Sequence, residues 1–130
     1  MRLLLDTHIF LWYIVDDVKL PSTFRLAIQD PNNEVFLSVA SIWESVIKHQ
    51  IGKLSFPFPP AEWLPKQRAA HGIGMIVIDE GAMSQLASLP QIHRDPFDRL
   101  IVAQAMQHSL AIVTVDPEIL AYQINVLAAT

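Results

Sequence analysis

The sequence contains no cysteine. That absence excludes disulfides, zinc–thiolate centres and cysteine nucleophiles. Glycine is scarce: Gly52, Gly72, Gly74 and Gly81 are the only four, and their spacing matches neither a Walker loop nor a dinucleotide fingerprint. Ser38 and Ser41 lack the glycines of a hydrolase nucleophile elbow. The five histidines form no HExxH pair. Long hydrophobic runs are missing too. The longest, Ile9 to Val15, has seven residues, whereas a helix needs about 20 to cross a bilayer. No small-residue cleavage site follows the N-terminal run, so no signal peptide is expected and a cytoplasmic location is the default. Basic charge is in short supply: nine Lys and Arg face thirteen Asp and Glu, for a formal net charge of −4. A nucleic-acid binder usually shows the opposite balance, although a bound cation alters the local charge.

What is present is apolar. Hydrophobic residues make up 52% of the 130 positions, and the mean hydropathy is +0.32. That is enough for one domain, residues 1–130, with a sizeable core or with apolar surface left for a partner. Short apolar runs at 2–5, 34–38, 75–78, 111–115 and 124–127 read as strands. Between them, helices are expected over 7–15, from Pro21-Ser22 to the turn at Pro31, and over 39–50, 61–71, 80–88, 96–109 and 117–122. Strands alternating with helices predict an α/β fold, a three-layer α/β/α sandwich around a mainly parallel sheet.

Four acids stand at the hinges of this pattern. Asp6 follows the first strand, and Asp116 follows the run 111–115. Glu44 lies one helical turn past the run 34–38, and Asp98 opens the helix before the run 111–115. Ligands of open parallel sheets bind outside the carboxyl ends of the strands. Carboxylates gathered there repel one another unless a cation joins them, and hard oxygen donors favour Mg²⁺ or Mn²⁺. The pattern points to metal-dependent hydrolysis of a phosphate ester. Each acid also has an ordinary structural explanation. Asp6 or Thr7 suits a helix N-cap, Ser41-Ile42-Trp43-Glu44 fits a capping box, and Asp95-Pro96 and Asp116-Pro117 fit capped helix starts. Yet Ser, Thr or Asn would cap equally well without charge. Asp79 also follows an apolar run and serves as a control. His93, Arg94 and Arg99 sit beside the acids as candidate phosphate contacts; Lys48, His49 and Lys53 form a looser group that suits either a phosphate backbone or a solvated face, the solvated face slightly ahead. Trp12, Trp43 and Trp63 read as core or interface rather than base-stacking residues.

These residues carry a resemblance. Leu3-Leu4-Leu5-Asp6-Thr7-His8, Ser38-Val39-Ala40-Ser41-Ile42-Trp43-Glu44 with Gly52-Lys53-Leu54, the stretch His93 to Ala105, and Val113-Thr114-Val115-Asp116-Pro117 occur in that order across nearly the whole chain. The chain resembles the PIN-domain family of metal-dependent ribonucleases, and within it the VapC-like toxins of bacterial toxin–antitoxin pairs. The stretch His93 to Ala105 is the most specific part of the match. The resemblance implies an acidic site of Asp6, Glu44, Asp98 and Asp116 holding Mg²⁺ or Mn²⁺, with Asp95 as an extra acid. It also implies an endoribonuclease, a homodimer and inhibition by a cognate antitoxin protein. Thr7 and Thr114 are expected to fix the carboxylates, and single-stranded RNA is the expected substrate form. Two alternatives stay open: another metal-dependent phosphoesterase or DNA nuclease, and a non-catalytic interaction domain whose acids only cap helices.

Overall fold

The structure, a computed structural model, describes residues 1–129; Thr130, at the end of the expected domain, lies outside them. The chain order is β1 (Arg2–Leu5), α1 (Thr7–Ile14), α2 (Ser22–Gln29), β2 (Glu34–Ser38), α3 (Val39–Gln50), α4 (Pro60–Ala70), β3 (Gly74–Ile76), α5 (Glu80–Ser88), α6 (Pro96–His108), β4 (Ala111–Val113) and α7 (Pro117–Leu120). The four strands form one sheet in the order β3-β2-β1-β4. Every pairing is parallel, with Leu3 opposite Val35 on one side and Ala111 on the other.

Alternation along β1 explains the layers. Successive side chains of a strand point to opposite faces. Leu4 therefore packs with Ile112, Ile76 and the buried face of α6, from Leu100 to Ala105. Leu3 and Leu5 pack with Phe10 of α1, Phe24 of α2 and Leu64 of α4. Both faces of the central strand are fully buried, as an uninterrupted Leu run in a parallel sheet requires. This is the three-layer sandwich expected. Helix α3 differs from the other helices. It packs against α1, α4 and α6, and so joins the two helical layers where β2 ends. It stops where Gly52, at φ 78°, turns the chain and lets Lys53 N–H reach the Lys48 carbonyl at 2.8 Å.

Three expectations need correction. The run 124–127 is no strand: it touches the sheet through a single bridge, Ile112 with Val126. The segments 75–78 and 111–115 shorten to Gly74–Ile76 and Ala111–Val113. β1 ends at Leu5, so Thr114 and Val115 have no strand to pair with. The Val77 carbonyl is taken by the Gln104 side chain at 3.1 Å instead of a neighbouring strand. Ser41 caps nothing, because α3 already begins at Val39, where Ser38 accepts from Ala40 N–H.

Candidate metal centre

Asp6 leaves the sheet at the carboxyl end of β1, where its own N–H still bonds the Val113 carbonyl at 3.0 Å. Its side chain makes no cap hydrogen bond to α1. It is buried and accepts from Thr114 Oγ1 at 2.8 Å. Burial pushes its pKa up; the Thr114 hydrogen bond and His8 oppose this, while the charges of Glu44 and Asp116 add to it. Thr114 Oγ1 in turn accepts from Asp116 N–H at 3.0 Å, so one hydroxyl ties two of the acids together.

Glu44 sits mid-way along α3, only 1% exposed. Thr7 Oγ1 donates to its Oε1 at 2.7 Å. Thr7 and Ser41 hydroxyl oxygens lie 2.9 Å apart. A hydroxyl has one proton to give, so Ser41 donates to Thr7 and Thr7 donates to Glu44. Glu44 Oε2 meets Lys48 Nζ at 2.5 Å.

Asp98 is perturbed as well. Its pKa rises from 3.8 to about 7, first through burial and then through Asp6, Asp95 and Glu44, with His93 opposing. Asp95, and not Asp98, caps α6: its Oδ1 accepts Phe97 N–H at 2.8 Å and Asp98 N–H at 3.4 Å. Asp116 performs both tasks. Its Oδ1 caps α7 by accepting Glu118 N–H at 2.8 Å, and its Oδ2 lies 3.2 Å from His93 Nε2.

His93 binds the cluster together. Its Nε2 also lies 2.9 Å from Asp98 Oδ2. Its Nδ1 faces Asp95 N–H and Glu118 Oε2, both at 3.1 Å. A neutral ring accepts from the amide; a protonated ring donates to Glu118. Burial works against the ring's charged form. The Asp116 hydrogen bond and the charges of Asp98, Asp116 and Glu118 outweigh it and raise the pKa. Arg94 is exposed beside this ring. Arg99 is committed elsewhere, to the Pro90 carbonyl at 2.9 Å and the Tyr122 hydroxyl at 3.2 Å.

Among the described residues, two sets of donors are compact enough to hold one ion: His93, Asp98 and Asp116, and Glu44, Asp95 and Asp98, each with donor atoms within 4.8 Å of one another. Asp98 belongs to both. Asp6 belongs to neither, though it raises the pKa of Asp98 by its charge. The donors are hard oxygens apart from one imidazole, and at Asp98, common to both sets, burial and then neighbouring negative charge favour the protonated form. A divalent cation fits both conditions. Asp79, the control, is exposed; it caps α5 and accepts from Gln107, whose hydrogen bond lowers its pKa.

The sequence pattern missed Lys48, Ser41 and Glu118 as parts of this cluster. Only Lys48 left a signal, its spacing of four from Glu44 on one helix. Trp43 belongs to the surroundings as well. It is 52% exposed next to Glu44, and its indole meets the edge of Phe97, next to Asp98, at 4.9 Å between centroids.

The chain is similar to known proteins. The PIN domain family model matches residues 3–125. Ribonuclease VapC16 of Mycobacterium tuberculosis is 36% identical over 55 residues, which span 42% of this chain and 39% of that protein. Ribonuclease VapC22 of the same organism is 27% identical over 114 residues, 87% of this chain and 85% of that protein. Among solved structures, VapBC2 from Rickettsia felis bound to a DNA fragment from their promoter superposes with a TM-score of 0.69 at 17% identity, covering 98% of both chains. A toxin-antitoxin complex from Klebsiella pneumoniae gives 0.60 at 18% identity, covering 98% of this chain and 97% of that one. The solved structures share the fold, the family model spans nearly every element that builds the acidic cluster, and the chain belongs to the PIN domain family.

Proposed function

We propose that this chain is a divalent-metal-dependent endoribonuclease, a single nuclease domain that cleaves single-stranded RNA as the toxin of a toxin–antitoxin pair. The observation that carries this reading is the buried acid cluster, whose Asp98 holds its proton to about pH 7 without a cation. The names of the VapC relatives and the family support RNA as substrate. Trp43 adds support for unpaired RNA, since an exposed indole beside the acids offers a face on which a splayed base can stack.

In this reading Asp6, Asp98 and Asp116 would hold Mg²⁺ or Mn²⁺ directly or through water, Asp6 through water since it stands outside both compact sets, with Glu44 as a further ligand or as the group that orients the attacking water. When bound, such a cation acidifies water and offsets the charge building on the scissile phosphate. Thr7 fixes Glu44 Oε1 before substrate arrives, so little orientation remains to be paid for during the reaction. Thr114 does the same for Asp6. Water attacks phosphorus, the bond to the 3′ oxygen breaks, and that oxygen takes a proton; the products carry a 5′-phosphate and a 3′-hydroxyl.

The same reading makes the chain a cytoplasmic homodimer with a cognate antitoxin. Among the described residues no helix is long and apolar enough to cross a membrane. Trp12, Phe56, Pro57 and Trp63 line an apolar groove of about 190 Å³ that suits an antitoxin segment. Purified protein is expected to cut a single-stranded RNA in Mn²⁺ or Mg²⁺ and to stop in EDTA. Cleavage of the matched DNA alone turns the assignment to a DNA nuclease. Undiminished RNA cleavage in EDTA, with contaminating ribonuclease excluded, sinks it.

A further inference from the structure

We propose that Lys48 is a positioning and phosphate-contacting residue: its ammonium occupies the Glu44 side of the acid cluster until a divalent cation takes over that charge, and then turns to the RNA phosphate. The proposal deepens the nuclease reading and rests on it for the second half.

An exposed Glu–Lys pair at this spacing is worth only a few tenths of a kcal/mol and needs no function. This pair is different. The Glu44 side chain is 2% exposed and the Lys48 side chain 27%. Thr7 already serves Oε1, which leaves Oε2 to the ammonium alone. Removing the lysine therefore strands a buried carboxylate among like charges. The ammonium also lies close enough for Asp95 and Asp98 to act on it. Glu44, Asp95 and Asp98 are one of the two sets able to hold an ion. Lys48 thus supplies positive charge at the Glu44 corner of that set.

The rest of its chemistry faces outward. An ammonium has three donors, and among the described residues Glu44 is its one hydrogen-bond partner. Two donors remain for a substrate. The stem is flexible, with four carbons between backbone and nitrogen. The head can leave Glu44 by rotation alone while α3 stays in place. Once a cation neutralises the carboxylates, the strongest remaining acceptor near the ammonium is a phosphate oxygen of bound RNA.

The test compares the wild type with Lys48→Met and Lys48→Arg in two measurements. One is Mn²⁺ affinity by calorimetry on the protein alone. The other is KM for a short single-stranded RNA and its dependence on salt. Loss of the competing charge is expected to tighten Mn²⁺ about tenfold. Loss of the phosphate contact is expected to raise KM about tenfold and to flatten the log–log salt slope by about 0.7. Lys48→Arg restores both. A merely structural ion pair moves neither quantity in this opposed way. Should Lys48→Met fail to fold, Glu44→Gln and the double variant Glu44→Gln/Lys48→Met remove the stranded charge, and the salt slope of RNA binding still separates them. Unchanged Mn²⁺ affinity in Lys48→Met overturns the proposal whatever the activity. A wild type that binds Mn²⁺ and leaves RNA intact overturns the nuclease reading instead, and the Mn²⁺ comparison still decides whether Lys48 competes for the site.

Discussion

An aspartate at the start of a helix looks the same in sequence whether it caps or binds. Asp95, Asp79 and Asp116 accept backbone N–H groups and are caps. Asp6 and Asp98 accept none and are buried against other acids. The distinction depends on burial and on neighbours from distant segments, which residue type does not encode. It has a consequence for pH. The pKa of Asp98 in the folded chain, about 7, exceeds its ordinary 3.8, so the unfolded chain releases this proton first. Stability of the metal-free protein then falls as pH rises from about 4 to about 7 and stays low above that. His93 acts in the same direction, because its raised pKa gives stability that is present at low pH and lost as pH climbs through the folded value. Melting curves in EDTA across this range are expected to show the decline, and Mn²⁺ is expected to abolish it. Asp98→Asn removes the buried charge. It is expected to melt about 5 °C higher than wild type at pH 7.5 without metal, to match it at pH 4, and to lose at least about a hundredfold in activity. Asp79→Asn keeps full activity. Equal activity in the two variants defeats the assignment.

At the scale of elements, the site exists because α3 crosses from one helical layer to the other. That crossing brings Glu44 of α3 to Thr7 of α1, 37 positions away in sequence. The layers themselves were legible: the uninterrupted Leu3-Leu4-Leu5 run required cover on both faces, and β2, α3 and α5 have the limits that their patterns predict. Strand ends were less so, because a strand lasts only as long as its neighbour does. β4 stops when β1 stops, and the segment after it gains one bridge from a three-residue partner. That Thr7 fixes a carboxylate was expected; that the carboxylate is Glu44 of α3 was beyond the sequence, since nothing local says which acid a threonine at a helix start will meet. Thr7→Val separates the two. Valine keeps the shape and leaves Glu44 Oε1 without its donor, at a cost of about 1–3 kcal/mol. The variant is expected to retain its far-UV spectrum, melt several degrees lower, and cleave RNA about tenfold more slowly. Unchanged cleavage shows that Glu44 needs no help from α1.

The whole molecule carries more apolar residues than its two cores absorb. Met83, Ile92, Met106, Leu120 and Val126 remain between 38% and 44% exposed. They come from α5, α6 and the segments that follow these helices, which places them on the same side of the sheet. Two grooves there share Met106, Gln123 and Ile124 in their linings, and so form one continuous trough. A second copy is the occupant that the proposed homodimer supplies. Burying this face twice removes apolar surface from water at about 25 cal/mol per Å². Light scattering at micromolar concentration is expected to give twice the mass of one chain. Met106→Glu puts a charge in the middle of the trough at a position that is already 38% exposed. The fold therefore tolerates it, and the variant is expected to run as a monomer with an unchanged melting curve at low concentration. A wild type that scatters as a monomer removes the homodimer. A Met106→Glu protein that remains a dimer moves the interface to another face, with the apolar groove at Trp12 and Phe56 the next to be tested.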